Sequence, residues 1–266
     1  MAEQKQPSCL EVVSELLSRC ETESTVFPPT DLYNEGWLLR IILDWFSKQD
    51  TVDHELSFSD SCKWFSEARL PTQFKATSRK DPLYETWTHA DGVIGHIIVG
   101  GFGKTDTSLA GDATHLVNTE AKMLSRLSAD VKNAPYFNQA ARYTACIAEL
   151  LTKADRKPER FERLGLYVLA PAETIGYGWF YKPLDKADIR QRVEKRAQAY
   201  QGEKDQWFKA WFLPTLEELE ISYLSWESIL DYIGSVDATF SASLNYFGGG
   251  SARNPHSFFF IQNVPT

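Results

Sequence analysis

The hexapeptide LGLYVL, at residues 164–169, is a short and continuous apolar run. Such a run is typical of a strand in the middle of a sheet that is covered on both faces. Pro135 stands earlier in the chain and predicts the start of a long helix that runs to Leu151, because proline fits the first turn of a helix. A long helix followed by a doubly covered strand indicates an α/β fold.

The sequence on either side adds further helices and strands to this pair. Residues 34–46, NEGWLLRIILDWF, predict a strongly apolar helix with Asp31 or Asn34 as its N-cap. Residues 87–99 and 114–123 predict strands. The remaining predicted elements are helices at 8–22, 59–68, 186–201 and 225–233. In chain order the middle of the chain therefore contains a helix, strands, a helix and a strand, with further helices towards both ends.

Length and composition favour a single domain. The chain has 266 residues, of which 43% are hydrophobic, and this is enough to fill one sizeable core. We expect one domain over residues 1–266, with its core at residues 34–170. The N-terminal helix and the C-terminal segment at residues 180–266 are expected as additions to that core.

Charge and hydropathy narrow the class of protein. The chain does not begin with a basic region that leads into a long apolar run, and no stretch approaches the roughly 20 apolar residues of a membrane helix. We therefore expect a cytoplasmic protein with no membrane partner. The net charge of −8 argues against a protein that coats nucleic acid, since such proteins usually carry a basic excess. It leaves open an enzyme that gathers carboxylates at a metal.

The four cysteines are scattered along the chain without a CxxC pair. This spacing gives no support to a zinc ribbon or a disulfide framework, and we expect reduced thiols with a structural role. The cysteines are Cys9, Cys20, Cys62 and Cys146.

The segment TEAK at residues 119–122 contains the first candidate for chemistry. Side chains of a strand alternate between its faces, so Glu120 and Lys122 are expected on the same side. Apolar neighbours predict that this strand is at least half buried, where an unpaired charge is costly. Two interpretations stay open at this point. The pair is either a salt bridge at a sheet edge, or a metal-binding carboxylate beside a lysine that positions water.

Asp91 favours the second interpretation. It lies in HADGVIG, residues 89–95, at the start of an apolar strand that precedes the Glu120 strand by about one hairpin. Asp-Gly is also a common turn pair, which is the alternative explanation. Two neighbouring strands that carry Asp91 and Glu120 could converge on one Mg²⁺, which prefers oxygen ligands. In the helix that follows, Gln139 and Tyr143 are four residues apart and share one face.

The ordered set of these residues resembles the PD-(D/E)XK nuclease superfamily. Its members are Glu35, then Asp91, then Glu120-x-Lys122, and the final Gln139-x-x-x-Tyr143 is most similar to the RecB-like branch. The resemblance implies a restriction-endonuclease-like αβββαβ core with a mixed sheet. It also implies a metal-dependent nuclease that hydrolyses phosphodiester bonds, with DNA as the expected substrate. Ala90 stands where the family name places a proline.

The resemblance also implies a role for each residue. Asp91 and Glu120 would bind Mg²⁺ or Mn²⁺, and Glu35 would bind it directly or through water. Lys122 would act with these carboxylates in catalysis by orienting the attacking water. Supporting or nucleic-acid contacts would come from Gln139, Tyr143 and Arg142.

Other cofactors and partners follow from what the sequence lacks or leaves open. Cys146 is the only cysteine beyond Gln139, so we expect no iron–sulfur cluster. The segment GGFGKT at residues 100–105 lacks the spacing of a phosphate-binding loop, so we expect no nucleotide cofactor. A helicase or defence partner would be a separate protein, and a homodimer would suit the cutting of two strands. The alternative function is a catalytically silent nuclease-fold module that binds partners within a larger nucleic-acid-processing or defence complex.

Overall fold

The computed structural model describes the larger part of the chain. The described residues are 35–50, 52–75, 83, 85, 87–101, 103–123, 125–127 and 134–240. The helix expected at 8–22 and the caps Asp31 and Asn34 lie outside them. Residues 38–229 form one unit, and a second unit combines residues 1–37 with residues 230–266. The prediction of a single domain over the whole chain stays a prediction.

The unit at 38–229 is built on a mixed sheet, which confirms the α/β class. Its strands are β1 (Lys63–Leu70), β2 (Thr88–Gly95), β5 (His115–Ala121), β6 (Arg163–Ala170) and β7 (Glu220–Ser225), and a separate pair consists of β3 (Ile97–Val99) and β4 (Thr107–Leu109). The five strands lie in the order β1-β2-β5-β6-β7. Neighbours are antiparallel from β1 to β5 and parallel from β5 to β7.

Seven α-helices accompany the strands among the described residues. They are α1 (Glu35–Phe46), α2 (Gln139–Ala154), α3 (Ala172–Gly176), α4 (Lys186–Gln198), α5 (Asp205–Trp207), α6 (Leu213–Glu218) and α7 (Trp226–Val236). A π-helix, Phe208–Phe212, joins α5 to α6. None of the helices in the described ranges combines the length and apolar character needed to cross a membrane.

Helices lie against both faces of the sheet. On one face Leu39 and Leu43 of α1 approach Gly92 so closely that a Cβ atom there would meet both side chains. On the other face α2 contributes Tyr143 and Ile147 to a buried cluster with strand residues. Every residue of β6 after the first is buried. The prediction of a doubly covered central strand at residues 164–169 is therefore confirmed.

Two predicted elements differ from the structure. Residues 59–68 were expected to form a helix, but Lys63–Leu70 is strand β1. The alternation that buries Ala68 and Leu70 and the antiparallel pairing with β2 outweigh the local helical tendency. The helix expected from Pro135 begins later, at Gln139. Its N-cap is Asn138, whose side-chain oxygen accepts a hydrogen bond from the Ala141 amide at 2.9 Å.

The thiols within the described ranges agree with the expectation of reduced cysteines. Cys62 is half buried, Cys146 is fully buried in α2, and both are free. Burial raises the pKa of the Cys146 thiol to about 12, so this thiol stays protonated and packs as a small apolar group. Cys9 and Cys20 lie outside the described residues.

Buried His115, at the start of β5, makes the folding free energy depend on pH. Burial, with Arg163 and His96 nearby, lowers the pKa of His115 to about 4. In the unfolded chain His115 binds a proton near pH 6.5, whereas in the folded chain it does so only near pH 4. The free energy of unfolding should therefore fall by about 3 kcal/mol as pH drops from 6.5 to 4. We expect His115→Gln to reduce this loss in urea unfolding at several pH values. His89→Gln, at an exposed histidine, is the control. An unchanged pH dependence in His115→Gln would contradict the prediction.

Candidate active site

Glu120 forms the centre of a polar cluster at the carboxyl end of β5. The residue is 1% exposed, and both of its carboxylate oxygens accept hydrogen bonds. Oε1 receives bonds from Lys122 Nζ and Gln139 Nε2, and Oε2 receives one from the Tyr143 hydroxyl. The alternation expected for this strand therefore holds, since Glu120 and Lys122 project to the same side. The two predicted helix residues reach the same carboxylate.

Lys122 directly follows β5, and both its backbone N–H and its backbone carbonyl form hydrogen bonds. Its N–H donates to the Leu169 carbonyl at 2.8 Å, and its carbonyl accepts from Trp226 Nε1 at 2.9 Å. The side chain is 14% exposed and forms an ion pair with Glu120. A lysine fixed in this way presents one ammonium group at the boundary between the buried carboxylate and solvent.

Asp91 enters the cluster from β2. The paired residues of β2 and β5 end at Gly92 and Thr119, and beyond this point Asp91 Oδ2 accepts a hydrogen bond from the Ala121 N–H at 2.8 Å. Burial, and then the charge of Glu120, raise the pKa of Asp91 to about 7, although the Ala121 hydrogen bond and Lys122 act in the opposite direction. Two carboxylates that lie close together in a buried site repel each other when both are charged, so a cation bound between them would be stabilised.

Helix α2 supplies the two donors that orient Glu120. Gln139 is the first residue of the helix and Tyr143 lies one turn later, with Gln139 Nε2 3.2 Å from the Tyr143 hydroxyl. That hydroxyl also lies 2.9 Å from the His89 carbonyl oxygen, so it shares its proton between this oxygen and Glu120. Burial and the charge of Glu120 raise the pKa of Tyr143. Tyr143 therefore stays protonated and acts as a donor.

Two predicted residues are not brought into this cluster by the described contacts. Arg142 lies beside Tyr143 in α2, and its positive charge, like that of Arg196, counters the rise that burial causes in the pKa of Glu85. Its Nε is buried without a hydrogen-bond partner among the described residues. Glu35 is the first residue of α1 and belongs to the unit formed by the ends of the chain. The roles of Arg142 and Glu35 stay predictions.

One further carboxylate near the site was missed by the sequence analysis. Glu67 lies opposite Asp91, between the paired residues Ser66–Gly92 and Ala68–Ala90, and the Glu67–Asp91 pair itself is missing from the ladder. Its φ of 57° is uncommon for a residue other than glycine. The charge of Glu67 adds to the rise in the pKa of Asp91. Its carboxylate pairs with Arg40 at 3.5 Å.

The donor set of the cluster suits a hard divalent cation. In the described part of the chain no group of three or more His, Cys, Asp or Glu side chains is placed to hold a metal ion. Asp91 and Glu120, however, bring carboxylate oxygens to one site at the boundary with solvent. Mg²⁺ is commonly bound by only one or two carboxylates and keeps several waters, so these two residues fit it.

Comparisons with known proteins add no assignment. No family model matches the chain, and no curated protein or solved structure is significantly similar to it. A function is therefore inferred from the geometry of the five converging side chains, which are Asp91, Glu120, Lys122, Gln139 and Tyr143.

Proposed function

We propose that this protein is a metal-dependent nuclease of the PD-(D/E)XK type that hydrolyses phosphodiester bonds of DNA. The observation that carries the proposal is the convergence of Asp91, Glu120 and Lys122 with Gln139 and Tyr143 at one end of the sheet. These residues come from two strands and a helix. Each belongs to the ordered set that resembles this superfamily.

The arrangement of elements around the site gives additional support. In chain order α1, β1, β2, β5, α2 and β6 correspond to an αβββαβ core, with the short β3–β4 pair inserted between β2 and β5. In this core β2 is antiparallel to both β1 and β5, and β6 is parallel to β5. This is the order and the mixed sheet expected of a restriction-endonuclease-like core.

The proposed mechanism assigns a separate task to each side chain. Mg²⁺ or Mn²⁺, bound by Asp91 and Glu120, would lower the pKa of a bound water and stabilise negative charge on the phosphate. Lys122, whose Nζ lies against Glu120 Oε1, would orient the attacking water and stabilise the charge that develops as the P–O bond breaks. Gln139 and Tyr143 would hold the Glu120 carboxylate in one orientation.

A cleavage assay with matched glutamate variants tests the proposal. We expect the full chain to cut plasmid and circular single-stranded DNA with Mg²⁺ or Mn²⁺, and to leave both intact with chelator. Glu120→Gln should lower the rate by about a hundredfold or more, because it removes one of the two carboxylates that would hold the metal, and charge stabilisation by the metal contributes on the order of several kcal/mol. Glu149→Gln is the control, because Glu149 is also a buried carboxylate bonded to a glutamine, but lies further along α2. Cleavage by Glu120→Gln at the wild-type rate would contradict the proposal.

One observation favours the second candidate, a silent binding module. Both oxygens of Glu120 already accept hydrogen bonds from side chains of the protein, so the cluster is satisfied without a metal. In this case no DNA would be cut under any condition, and Glu120→Gln would change only stability. A pull-down with the intact chain would then identify a partner protein or nucleic acid.

A further inference from the structure

A group of aromatic side chains lies on the surface in the segment that follows β6 and on strand β7. Tyr177 and Tyr181 are each 55% exposed, and Tyr223 is 37% exposed. The Tyr177 and Trp179 rings have centroids 5.1 Å apart, and those of Tyr181 and Tyr223 are 5.7 Å apart. The guanidinium of exposed Arg126 lies over the Trp179 ring, 4.7 Å from its centroid. We call these five residues the aromatic surface.

The core of the unit fixes this surface from behind. Phe180, between Trp179 and Tyr181, is fully buried in a cluster that also contains Leu127 and Leu184. The segments that carry Arg126 and the three aromatic residues at 177–181 are thus anchored on the same core. Rings held in this way are already in place for a ligand and lose little conformational freedom on binding.

The aromatic surface is connected directly to the candidate active site. Arg126 follows Lys122 by four residues. The carbonyl of Met123, which is the residue after Lys122, accepts a hydrogen bond from Thr174 Oγ1 of α3 at 3.1 Å. Tyr177 directly follows α3. Because β5, β6 and β7 are parallel, the site and the aromatic surface lie towards the same end of the sheet, where these strands have their carboxyl ends.

We propose that the aromatic surface binds unpaired bases of single-stranded nucleic acid and guides that strand to the cluster around Glu120. The inference rests on the proposed function, which places phosphodiester chemistry at the adjacent site. Exposed rings can stack on unpaired bases of any sequence, whereas the bases of a duplex are already stacked on each other. Arg126 adds a cation that can contact a phosphate or a base beside the rings.

Arg126 is the one cation among the five residues of the aromatic surface, so stacking supplies most of the proposed affinity. With a net charge of −8 the protein as a whole repels nucleic acid. Binding through aromatic faces depends less on salt than binding through many phosphate contacts. For a single strand, the logarithm of the binding constant falls with the logarithm of the salt concentration with a slope of only about 0.7 per phosphate contact. We therefore expect single-strand affinity to fall only weakly as salt is raised.

Equilibrium binding in chelator tests this surface without cleavage. The full chain is titrated into fluorescently labelled oligo(dU), oligo(U) and a blunt DNA duplex of equal length. We expect a single strand to bind more tightly than the duplex, and oligo(dU) compared with oligo(U) identifies the preferred sugar because the two differ only in the 2′-hydroxyl group. Trp179→Ala and Tyr181→Ala should each weaken single-strand binding by about tenfold, the usual scale for one lost base stack.

Trp211→Ala is the matched control for Trp179→Ala. Trp211 is also half buried with a cation over its ring, Lys157 Nζ at 3.7 Å. It lies in the π-helix ahead of β7, towards the amino ends of the parallel strands. We expect Trp211→Ala to bind single strands like wild type. Thermal melts show whether each variant is folded. If Trp179→Ala is not folded, Tyr181→Ala still tests the surface, because the Tyr181 ring is exposed.

The outcomes separate this inference from the proposed function. Wild-type affinity in folded Trp179→Ala and Tyr181→Ala, or equal affinity for duplex and single strand, would overturn the aromatic surface even if the protein cuts DNA. Single-strand binding that is lost in these two variants would support the surface. It would do so even if no cleavage were detected and the nuclease proposal failed.

Discussion

Lys122→Met should lower the rate of metal-dependent cleavage by about 10²–10³-fold, which is the usual effect of removing one donor to transition-state charge. The Lys122 ammonium is the cation that lies against the Glu120 carboxylate. Methionine fills a similar volume but can neither orient water nor stabilise the developing charge. Single-turnover cleavage of a saturating substrate measures this loss separately from binding. Cleavage at the wild-type rate would show that Lys122 has no part in the chemistry.

The same substitution should also destabilise the protein, and a double variant separates the two effects. Lys122→Met leaves the buried Glu120 carboxylate without its cation, which costs about 3 kcal/mol in comparable pairs. Glu120→Gln/Lys122→Met removes both charges and should recover most of this stability in urea unfolding, but none of the activity. Lys48→Met is the control, since the Lys48–Asp44 pair is exposed and should contribute only about 0.5 kcal/mol.

Gly95→Ala should destabilise the fold by about 3 kcal/mol or more, because it combines backbone strain with overpacking. Gly95 has a φ of +153°, and a Cβ atom there would lie 2.3 Å from the His115 carbonyl oxygen and 3.0 Å from the Leu116 Cα. Both atoms belong to the backbone of β5, which cannot move without breaking its pairing with β6. The free energy of unfolding in urea measures the effect.

Gly111→Ala provides the comparison for Gly95→Ala. A Cβ atom at Gly111 would meet no atom within 4 Å, and the residue is exposed. We expect a change within about 0.5 kcal/mol, as for most surface substitutions. Equal stability of the Gly95→Ala and Gly111→Ala variants would show that β2 and β5 can separate locally to make room.

The parts of the fold that sequence predicted are those with one dominant pattern. The apolar run at residues 164–169 can be buried only between two layers, and this is where β6 lies. Residues 34–46 repeat apolar side chains at helical spacing and form α1 from Glu35. In β1 the pattern is ambiguous, because KWFSEARL combines good helix formers with alternating burial. Its pairing with β2 decides the outcome, and a single segment does not reveal its partner.

For the candidate site, too, the sequence predicted the local arrangement of the residues within each element but not how the elements pack together. Alternation places Glu120 and Lys122 on one side of β5, and helical spacing places Gln139 and Tyr143 on one face of α2. That all four meet at a single carboxylate is a property of tertiary packing. Arg142 was predicted with them as well, but one residue along a helix turns the side chain by about 100°, and its role stays a prediction.

The aromatic surface shows why the remaining features could not be predicted. Tyr177, Trp179 and Tyr181 are close in sequence, but Arg126 comes from a segment 51 residues before Tyr177 and Tyr223 from one 42 residues after Tyr181. Tyr223 belongs to β7, a strand that the sequence analysis did not predict, and its pairing with β6 brings it to Tyr181. Exposed tyrosines carry no local pattern that distinguishes a cluster from scattered surface residues.

The break in the β1–β2 ladder at Glu67 has a consequence for self-association. β1 is an edge strand, and the edges of sheets are where other chains can add strands and form aggregates. The positive φ of Glu67 prevents a regular extended edge, and exposed Lys63 places a charge near its start. Near its end, Arg69 already donates its backbone N–H to the Thr105 carbonyl at 2.8 Å. These three features disfavour the addition of a strand from a second copy of the chain at β1.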